Sequence, residues 1–264
     1  MENKKNKLSK VAVILAAGKG KRMKSDIPKV LHRILGKPMV EYVIENSRKA
    51  GFEKIILIVG HKYQQVMDEL KDADVEFVVQ HKQLGTGDAV LTAKPKLANF
   101  EGTILVLAGD MPLVSADTII KLTNTHRRRS AAATVLTVKL PDPTGYGRIV
   151  RNSEGAFIGI TEHRDADEET RRIDEVNTGI ICFDSAKLFE VLPLLSNDND
   201  QREYYLTDCI SLLVNRGETV EALVAENYLE GEGINSIEQL KEVEDILREK
   251  SIDSKGVDNL TGSV

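Results

Sequence analysis

The stretch Leu15-Ala16-Ala17-Gly18-Lys19-Gly20-Lys21-Arg22-Met23 leaves an aliphatic run through small residues and enters a cationic turn. That combination suits a polyphosphate. Glycines let backbone N–H groups approach phosphate oxygens, and each cation about 4 Å from a phosphate contributes on the order of 4 kcal/mol at a surface-like dielectric. For the loop taken by itself, a solvent-exposed basic turn is the alternative. Single residues exclude two common phosphate motifs. A Walker sequence needs Ser or Thr after Gly20-Lys21, where Arg22 stands, and a dinucleotide fingerprint needs Gly where Met23 stands. The five histidines fall into no triad or metal spacing and are read as structural or solvated. Cys182 and Cys209 stand far apart without a CxxC, which predicts two buried thiols in a reduced compartment.

The elements that must position the loop follow from hydrophobic period. Residues 11–17 read as a buried strand, 38–49 as a helix stopped by Gly51, and the almost wholly aliphatic 54–59 as a second buried strand. Helix is predicted at 63–70 and 87–97, strand at 75–79 and 103–108, and helix again at 116–126. This alternation predicts an α/β fold: a Rossmann-like, mainly parallel central sheet with helices on both faces and ligands at the carboxyl ends of the strands. After the strand at 131–138 the rhythm becomes α+β. A turn-rich segment at 142–147 leads into a hairpin over 149–161 around Ser153-Glu154-Gly155, with further strands at 176–183 and 220–225. This smaller half is expected to form a lid over the first. The predicted organisation is a flexible extension at 1–10, one domain at 11–250 and a mobile tail at 251–264. Within the domain, 11–130 and 131–235 are the two halves and 236–250 is a closing amphipathic helix.

Composition narrows the partners. Thirty-six basic against forty-one acidic side chains give a formal charge of −5, so nothing global favours nucleic acid or an anionic membrane. The triple Arg127-Arg128-Arg129 is read as decoration of a helix C-terminus, where cations are favoured. Lys4, Lys5, Lys7 and Lys10 precede the first apolar run as in a signal peptide, but basic residues follow it where a cleavage site needs small neutral ones. No run approaches the roughly 20 apolar residues of a membrane span, and a cytoplasmic location is expected.

Further motifs carry a resemblance. Leu-x-x-Gly-x-Gly-x-Arg-Met is followed closely by Pro28-Lys29-Val30-Leu31. Then come Gln80 to Gly87, Gly109-Asp110-Met111-Pro112-Leu113, Thr144-Gly145-Tyr146-Gly147-Arg148 and Glu162-His163. Asn177-Thr178-Gly179, Glu203-Tyr204-Tyr205-Leu206-Thr207-Asp208 and Gly233-Ile234-Asn235 complete the series. In order and spacing the set, from about Val11 to Leu247, resembles the bacterial N-acetylglucosamine-1-phosphate uridylyltransferases. The resemblance implies transfer of UMP from UTP to N-acetylglucosamine 1-phosphate with Mg²⁺, making a nucleotide sugar for cell-wall precursors. It also implies small-molecule substrates and neither nucleic acid nor membrane as partner.

By the same resemblance, Arg22 and Lys29 engage the triphosphate while the backbone of Leu15, Ala16, Ala17 and Gly18 frames the base. Asp110 and Asn235 are implied as the Mg²⁺ ligands. An Asp ending a strand is otherwise a cap, and Asn235 could equally be a turn residue. Gln80 and Gly85 match positions that read uracil, with Gln83 as plausible as Gln80 when taken alone. Ala108 and Gly109 flank Asp110, and Ala108 is small enough that only its backbone could contribute. Thr86 and Gly147 match sugar or phosphate contacts, against a helix N-cap and a hairpin glycine as alternatives. Glu162 and Asn177 match groups that hold the hexose hydroxyls and acetamido arm, and Tyr205 and Thr207 are expected to line the same pocket. The best-known relatives carry a second, β-helical acetyltransferase half that uses acetyl-CoA and assembles trimers. No six-residue repeats of that kind occur in this sequence, so that activity, coenzyme and trimer are not expected. The rivals are a relative using another sugar 1-phosphate or dTTP, and a catalytically silent nucleotide-sugar-binding subunit.

Overall fold

Unbroken aliphatic runs alternating with runs of period 3.6 give the chain its alternation of strands and helices. A computed structural model of the chain describes residues 9–258. In order it holds β1 (Ser9–Ala16), a short ribbon of β2 (Arg33–Ile34) and β3 (Lys37–Pro38), α1 (Met39–Lys49), β4 (Lys54–Val59) and α2 (Tyr63–Glu69). Next come β5 (Glu76–Val79), α3 (Thr86–Thr92), β6 (Gly102–Ala108), α4 (Ala116–Arg128), β7 (Ala133–Lys139), β8 (Arg148–Arg151) and β9 (Phe157–Thr161). The chain continues through α5 (Glu168–Arg171), β10 (Glu175–Asp184), α6 (Ser185–Val191), α7 (Asp208–Asn215), β11 (Val220–Val224) and α8 (Ile237–Asp258).

The main sheet runs β11-β7-β10-β6-β1-β4-β5, and β8 and β9 branch from β10. β1 pairs in parallel with both β4 and β6, β4 with β5, and β7 with β11, whereas β10 is antiparallel to its neighbours. Successive side chains of a strand point to opposite faces. Val11, Val13, Ile56, Ile58, Ile104 and Val106 therefore meet one layer, formed by Val90 of α3, Leu188 and Val191 of α6, and Ile210 and Leu213 of α7. Ala12, Ile14, Leu57, Val59, Leu105 and Leu107 meet the other, formed by Val43 and Ile44 of α1, Val66 of α2, and Ile119 and Leu122 of α4. Covering both faces explains why these strands are almost continuously aliphatic, and each fully buried Val, Leu or Ile contributes roughly 1.5–3 kcal/mol. Among the described residues no helix is long and apolar enough to cross a membrane.

The mainly parallel sheet with helices on both faces is present as the sequence implied. The second half differs in one respect: the strands expected at 176–183 and 220–225 lie in the central sheet itself, and only the β8–β9 hairpin stands off it. Helix α3 stops at Thr92 rather than continuing to 97, because Pro95 has no N–H to donate and residues 94–97 tighten into a 3₁₀ turn. Ser9 and Lys10, expected in the flexible extension, belong to β1, and residues 251–258, expected in the tail, continue α8. The rest of those two expectations, 1–8 and 259–264, lies outside the described residues. Helices α6 and α7 had no counterpart in the sequence reading.

Candidate active site

Parallel register sets the site. Leu15 lies beside Ala108, Ala16 beside Val59, and Val59 beside Val79, so the carboxyl ends of four strands open on one edge. Backbone bonds lace the emerging loops: Gly109 N donates to the Leu15 carbonyl at 2.9 Å, His61 N to Ala17 at 3.1 Å and Gln80 N to Val59 at 2.8 Å.

From β1 the chain turns through Gly20 at φ +58°, where an added Cβ would stand 2.7 Å from the Lys29 Cβ. Glycine is required twice over there, by the left-handed backbone and by the close approach of Lys29. A 3₁₀ turn at Lys21–Met23 follows, anchored by the buried Met23, and leaves Arg22 over the edge. A second 3₁₀ turn at Lys29–Leu31, started by Pro28 and held by buried Val30, aims Lys29 inward. The Lys29 ammonium pairs with the Asp110 carboxylate, both side chains being more than four-fifths buried, and donates to Asn235 Oδ1 at 2.6 Å. Arg22 Nη2 donates to the same oxygen at 2.7 Å.

Asn235 reaches this point across the sequence because Ile234 N donates to the Asp110 carbonyl at 2.9 Å. Its amide then folds back on the Gly233 carbonyl, also at 2.9 Å. Gly233 lies beside the carboxylate, where an added Cβ would sit 3.4 Å from both Asp110 oxygens. Asp110 is thus not a cap: its side chain is spent on Lys29, and two oxygen donors converge on one cation.

These groups line a cavity of about 390 Å³. Leu15, Ala16, Ala17, Gly18, Arg22, Lys29, Gln80, Gly85, Thr86, Ala108, Asp110 and Asn235, all singled out from sequence, border it. Gln80 is buried, and its amide donates to the Gly85 carbonyl at 3.2 Å and to Asp88 Oδ2 at 2.7 Å, while its side-chain oxygen accepts no bond among the described residues. Gln83, the alternative to Gln80, lines the cavity as well. Gly85, at φ +118°, fits only without a side chain, since a Cβ would come 2.5 Å from the Tyr204 carbonyl oxygen. Thr86 is not a cap: its hydroxyl accepts from Leu206 N at 3.0 Å. Gly109 does not line the cavity and instead lets β6 pack against Val40, Val30 and Ile14. Sequence reasoning missed Lys21, Ala89 and Glu203 as lining residues. Glu203 was visible only as the first letter of a longer motif.

Gly147, Glu162, Asn177, Tyr205 and Thr207 do not border that cavity and form a neighbouring group. Thr207 Oγ1 donates to Glu162 Oε1 at 3.1 Å. An added Cβ on Gly147 would stand 3.3 Å from the same carboxylate oxygen. Asn177 N donates to the Gly147 carbonyl at 2.8 Å, while Asn177 Oδ1 accepts from Gly179 N at 2.9 Å. Burial raises the Glu162 pKa above the usual carboxylate range against the lowering effect of the Thr207 hydrogen bond, and the charges of Asp208 and Asp165 add to it. The Tyr205 hydroxyl is also pushed up, first by burial and then by nearby carboxylates that include Glu162. The Tyr146 hydroxyl is raised by burial and feels both Arg22 and Asp110, which places the turn before Gly147 within electrostatic reach of the cationic cluster. The thiols play no part: Cys182 and Cys209 are free and buried, and burial pushes both pKa values up to about 12. His126 is buried against the Thr134 hydroxyl, its pKa lowered to about 4 by burial, and is structural.

Residues 12–202 match the MobA-like NTP transferase domain. This chain belongs to the MobA-like NTP transferase family. Among curated relatives, the bifunctional protein GlmU of Bacillus subtilis is 47% identical over 239 residues, 90% of this chain and 52% of the relative. That of Geobacillus thermodenitrificans is 48% identical over 243 residues, 92% of this chain and 53% of the relative. The chain therefore spans about half the length of the curated relatives it matches. A crystal structure of UDP-glucose pyrophosphorylase complexed with UDP-glucose superposes with a TM-score of 0.71 over 92% of this chain and all of that one. Its 20% identity speaks for the fold of this family member alone.

Proposed function

We propose that this chain transfers UMP from UTP to N-acetyl-α-D-glucosamine 1-phosphate, giving UDP-N-acetylglucosamine and pyrophosphate. The observation that carries the reading is the convergence of Lys29, Arg22, Asp110 and Asn235 at the mouth of a cavity on the carboxyl edge of the sheet. The identity to the GlmU relatives, spread over nine-tenths of this chain, supports it.

A phosphate oxygen of the sugar phosphate attacks the α-phosphorus of UTP. A P–O bond forms as the α–β bridging bond breaks, and pyrophosphate leaves with the electron pair. No protein nucleophile is needed, so the chain's part is alignment and neutralisation of charge. In this reading the first cavity receives the nucleotide. The Gln80 side-chain oxygen accepts from the base, and the Gly18–Gly20 turn with Arg22 and Lys29 meets the triphosphate. Lys29 turns from Asp110 toward the phosphates as they arrive. The group around Glu162 receives the hexose, where a carboxylate with raised proton affinity and the Thr207 hydroxyl reject analogues that leave them unmet.

A divalent cation is part of this reading. The donor set fits it: Asp110 and Asn235 oxygens already surround one positive charge, and Gly233 leaves the space beside the carboxylate clear. Among the described residues no group of three or more His, Cys, Asp or Glu is placed to hold a metal. Mg²⁺ suits a site with so few protein ligands, because it completes its octahedron with water and phosphate oxygens. Bound there, it would supply further neutralisation of the triphosphate. A cytoplasmic setting belongs to the same reading and is supported by the two free thiols.

The deciding experiment measures pyrophosphate release with Mg²⁺ across a panel of nucleotides and sugar 1-phosphates. Release is expected with UTP and N-acetylglucosamine 1-phosphate. No release from any pair refutes the reading, and a preference for glucose 1-phosphate or dTTP replaces the acceptor or the base.

A further inference from the structure

Arg148 opens β8 directly after Gly147, and at 1% exposure it is among the largest fully buried side chains of the protein. Every acceptor its guanidinium meets among the described residues is neutral. One Nη donates to the Tyr146 carbonyl. The other bonds His163 Nδ1 at 3.3 Å and the Arg171 carbonyl, also at 3.3 Å, and Nε reaches that same carbonyl at 3.4 Å. Asp142 acts on it only through space, while Arg171 opposes its charge. Burying a cation without a carboxylate partner is costly, so its retention calls for a reason.

Position supplies one. Tyr146 precedes Gly147 and His163 follows Glu162, so a single rigid fork grips the flanks of two residues that face each other across the acceptor side. Arg171 closes the stitch from the end of α5: its Nε donates to the His163 carbonyl at 3.3 Å and its Nη2 to the Arg164 carbonyl at 3.4 Å. The Glu162 turn is also held by Asp165 N on the Glu162 carbonyl at 3.0 Å. Only a planar group with several donors in fixed directions spans three chain segments at once, which a lysine ammonium does not.

We propose that Arg148 is a positioning residue for the acceptor: by tying Tyr146, His163 and Arg171 together, its guanidinium sets the separation of Gly147 and Glu162 and so the register in which the sugar phosphate is received. The inference rests on the uridylyltransferase reading above. The nucleotide cavity borders none of the gripped segments, so the two substrates report on Arg148 differently.

The test compares Arg148→Lys and His163→Ala with the unaltered chain, measuring KM for each substrate, kcat and the melting temperature. Arg148→Lys keeps the charge and loses the fork; it should raise KM for the sugar phosphate about tenfold or more and leave KM for UTP within about twofold. His163→Ala removes one anchor at a half-exposed position, keeps the fold, and should give about a threefold rise confined to the sugar phosphate. Thermal stability falls for Arg148→Lys, but stability loss alone would lower the active fraction and hence kcat without moving one KM against the other. The proposal is overturned if both KM values move together or if neither moves. Should Arg148→Lys fail to fold, the His163→Ala split decides by itself. An unaltered chain that releases no pyrophosphate refutes the functional reading; an active one whose variants show no split refutes only the role of Arg148.

Discussion

Lys29→Met separates a catalytic cation from a structural one. The methionine keeps an aliphatic stem above Gly20, where the Lys29 Cβ fills the space a side chain at that glycine would need. It removes the ammonium that joins Asp110 to Asn235. In the free protein the loss is that of one partner of a largely buried ion pair, about 3 kcal/mol, because the Asp110 carboxylate is left buried without its cation while Asn235 still accepts from Arg22. For a chain of this length that lowers Tm by about 6–12 °C. With the triphosphate present, the same cation about 4 Å from phosphate is worth on the order of 4 kcal/mol, roughly a thousandfold in kcat/KM. Differential scanning fluorimetry and pyrophosphate release, run on one preparation, measure both. A Tm drop of that size or larger with kcat/KM held within about tenfold would refute the reasoning and make Lys29 a structural residue.

Three further outcomes follow from the same geometry. Asp110→Asn removes the single carboxylate of the cluster; kcat should fall by about two orders of magnitude or more and the Mg²⁺ needed for half-maximal rate should rise, while an unchanged metal dependence contradicts the assignment. Gly85→Ala places a Cβ 2.5 Å from the Tyr204 carbonyl oxygen at φ +118°. At about 3 kcal/mol for strain and lost backbone bonds, Tm should drop about 6–12 °C, and a melt within about 2 °C of the parent would show that the turn rearranges freely. Glu162→Gln tests the raised carboxyl: burial makes the folded state bind this proton more readily than the unfolded one, so the group's contribution is full at low pH and is lost as pH rises through its raised value. The variant should therefore melt higher than the parent at neutral pH, by a margin that vanishes in the acid range, while its KM for the sugar phosphate worsens. Equal melting curves at every pH would mean that the carboxylate is not penalised.

The nucleotide half was legible because its information is local. A strand buried on both faces must be aliphatic throughout, and Val11, Ile56 and Ile104 announce it without reference to the rest of the chain. Loops that follow such strands must lie at the carboxyl edge, so Gly18, Gln80 and Asp110 could be assigned to one opening from order alone. The second half was harder for a physical reason. Whether β7, β10 and β11 join the first sheet or make their own depends on pairing across dozens of residues, and their alternating patterns fit either arrangement. Helices α6 and α7 are as short as α2 and α3 but went unread because the second half has no regular strand-to-helix rhythm to lend two turns of period their weight. Asp184, whose carboxylate caps α6 by accepting from Lys187 N at 3.1 Å, was the one local signal.

The division between the two halves has a consequence for the chemistry. Lys29, Asp110 and Asn235 come from three distant segments, yet each is fixed by a short-range device: a 3₁₀ turn after Pro28, the end of β6, and a backbone bond from Ile234 to Asp110. On the proposed reading, a site assembled from stiff local pieces fixes the backbone that carries Lys29 and Asp110 before a nucleotide arrives, so that only the Lys29 side chain has to swing from Asp110 to phosphate. The acceptor group lacks such rigid ends. Gly147 and Glu162 flank a hairpin whose ladder pairing with the main sheet is Val176 beside Arg148, with Asn177 N bonded to the Gly147 carbonyl next to it. On the proposed reading the alignment there draws on side chains, the buried Arg148 fork among them. Discrimination among sugar phosphates should therefore respond to substitutions that leave both substrates untouched, provided they loosen that hairpin, whereas discrimination among nucleotides should not.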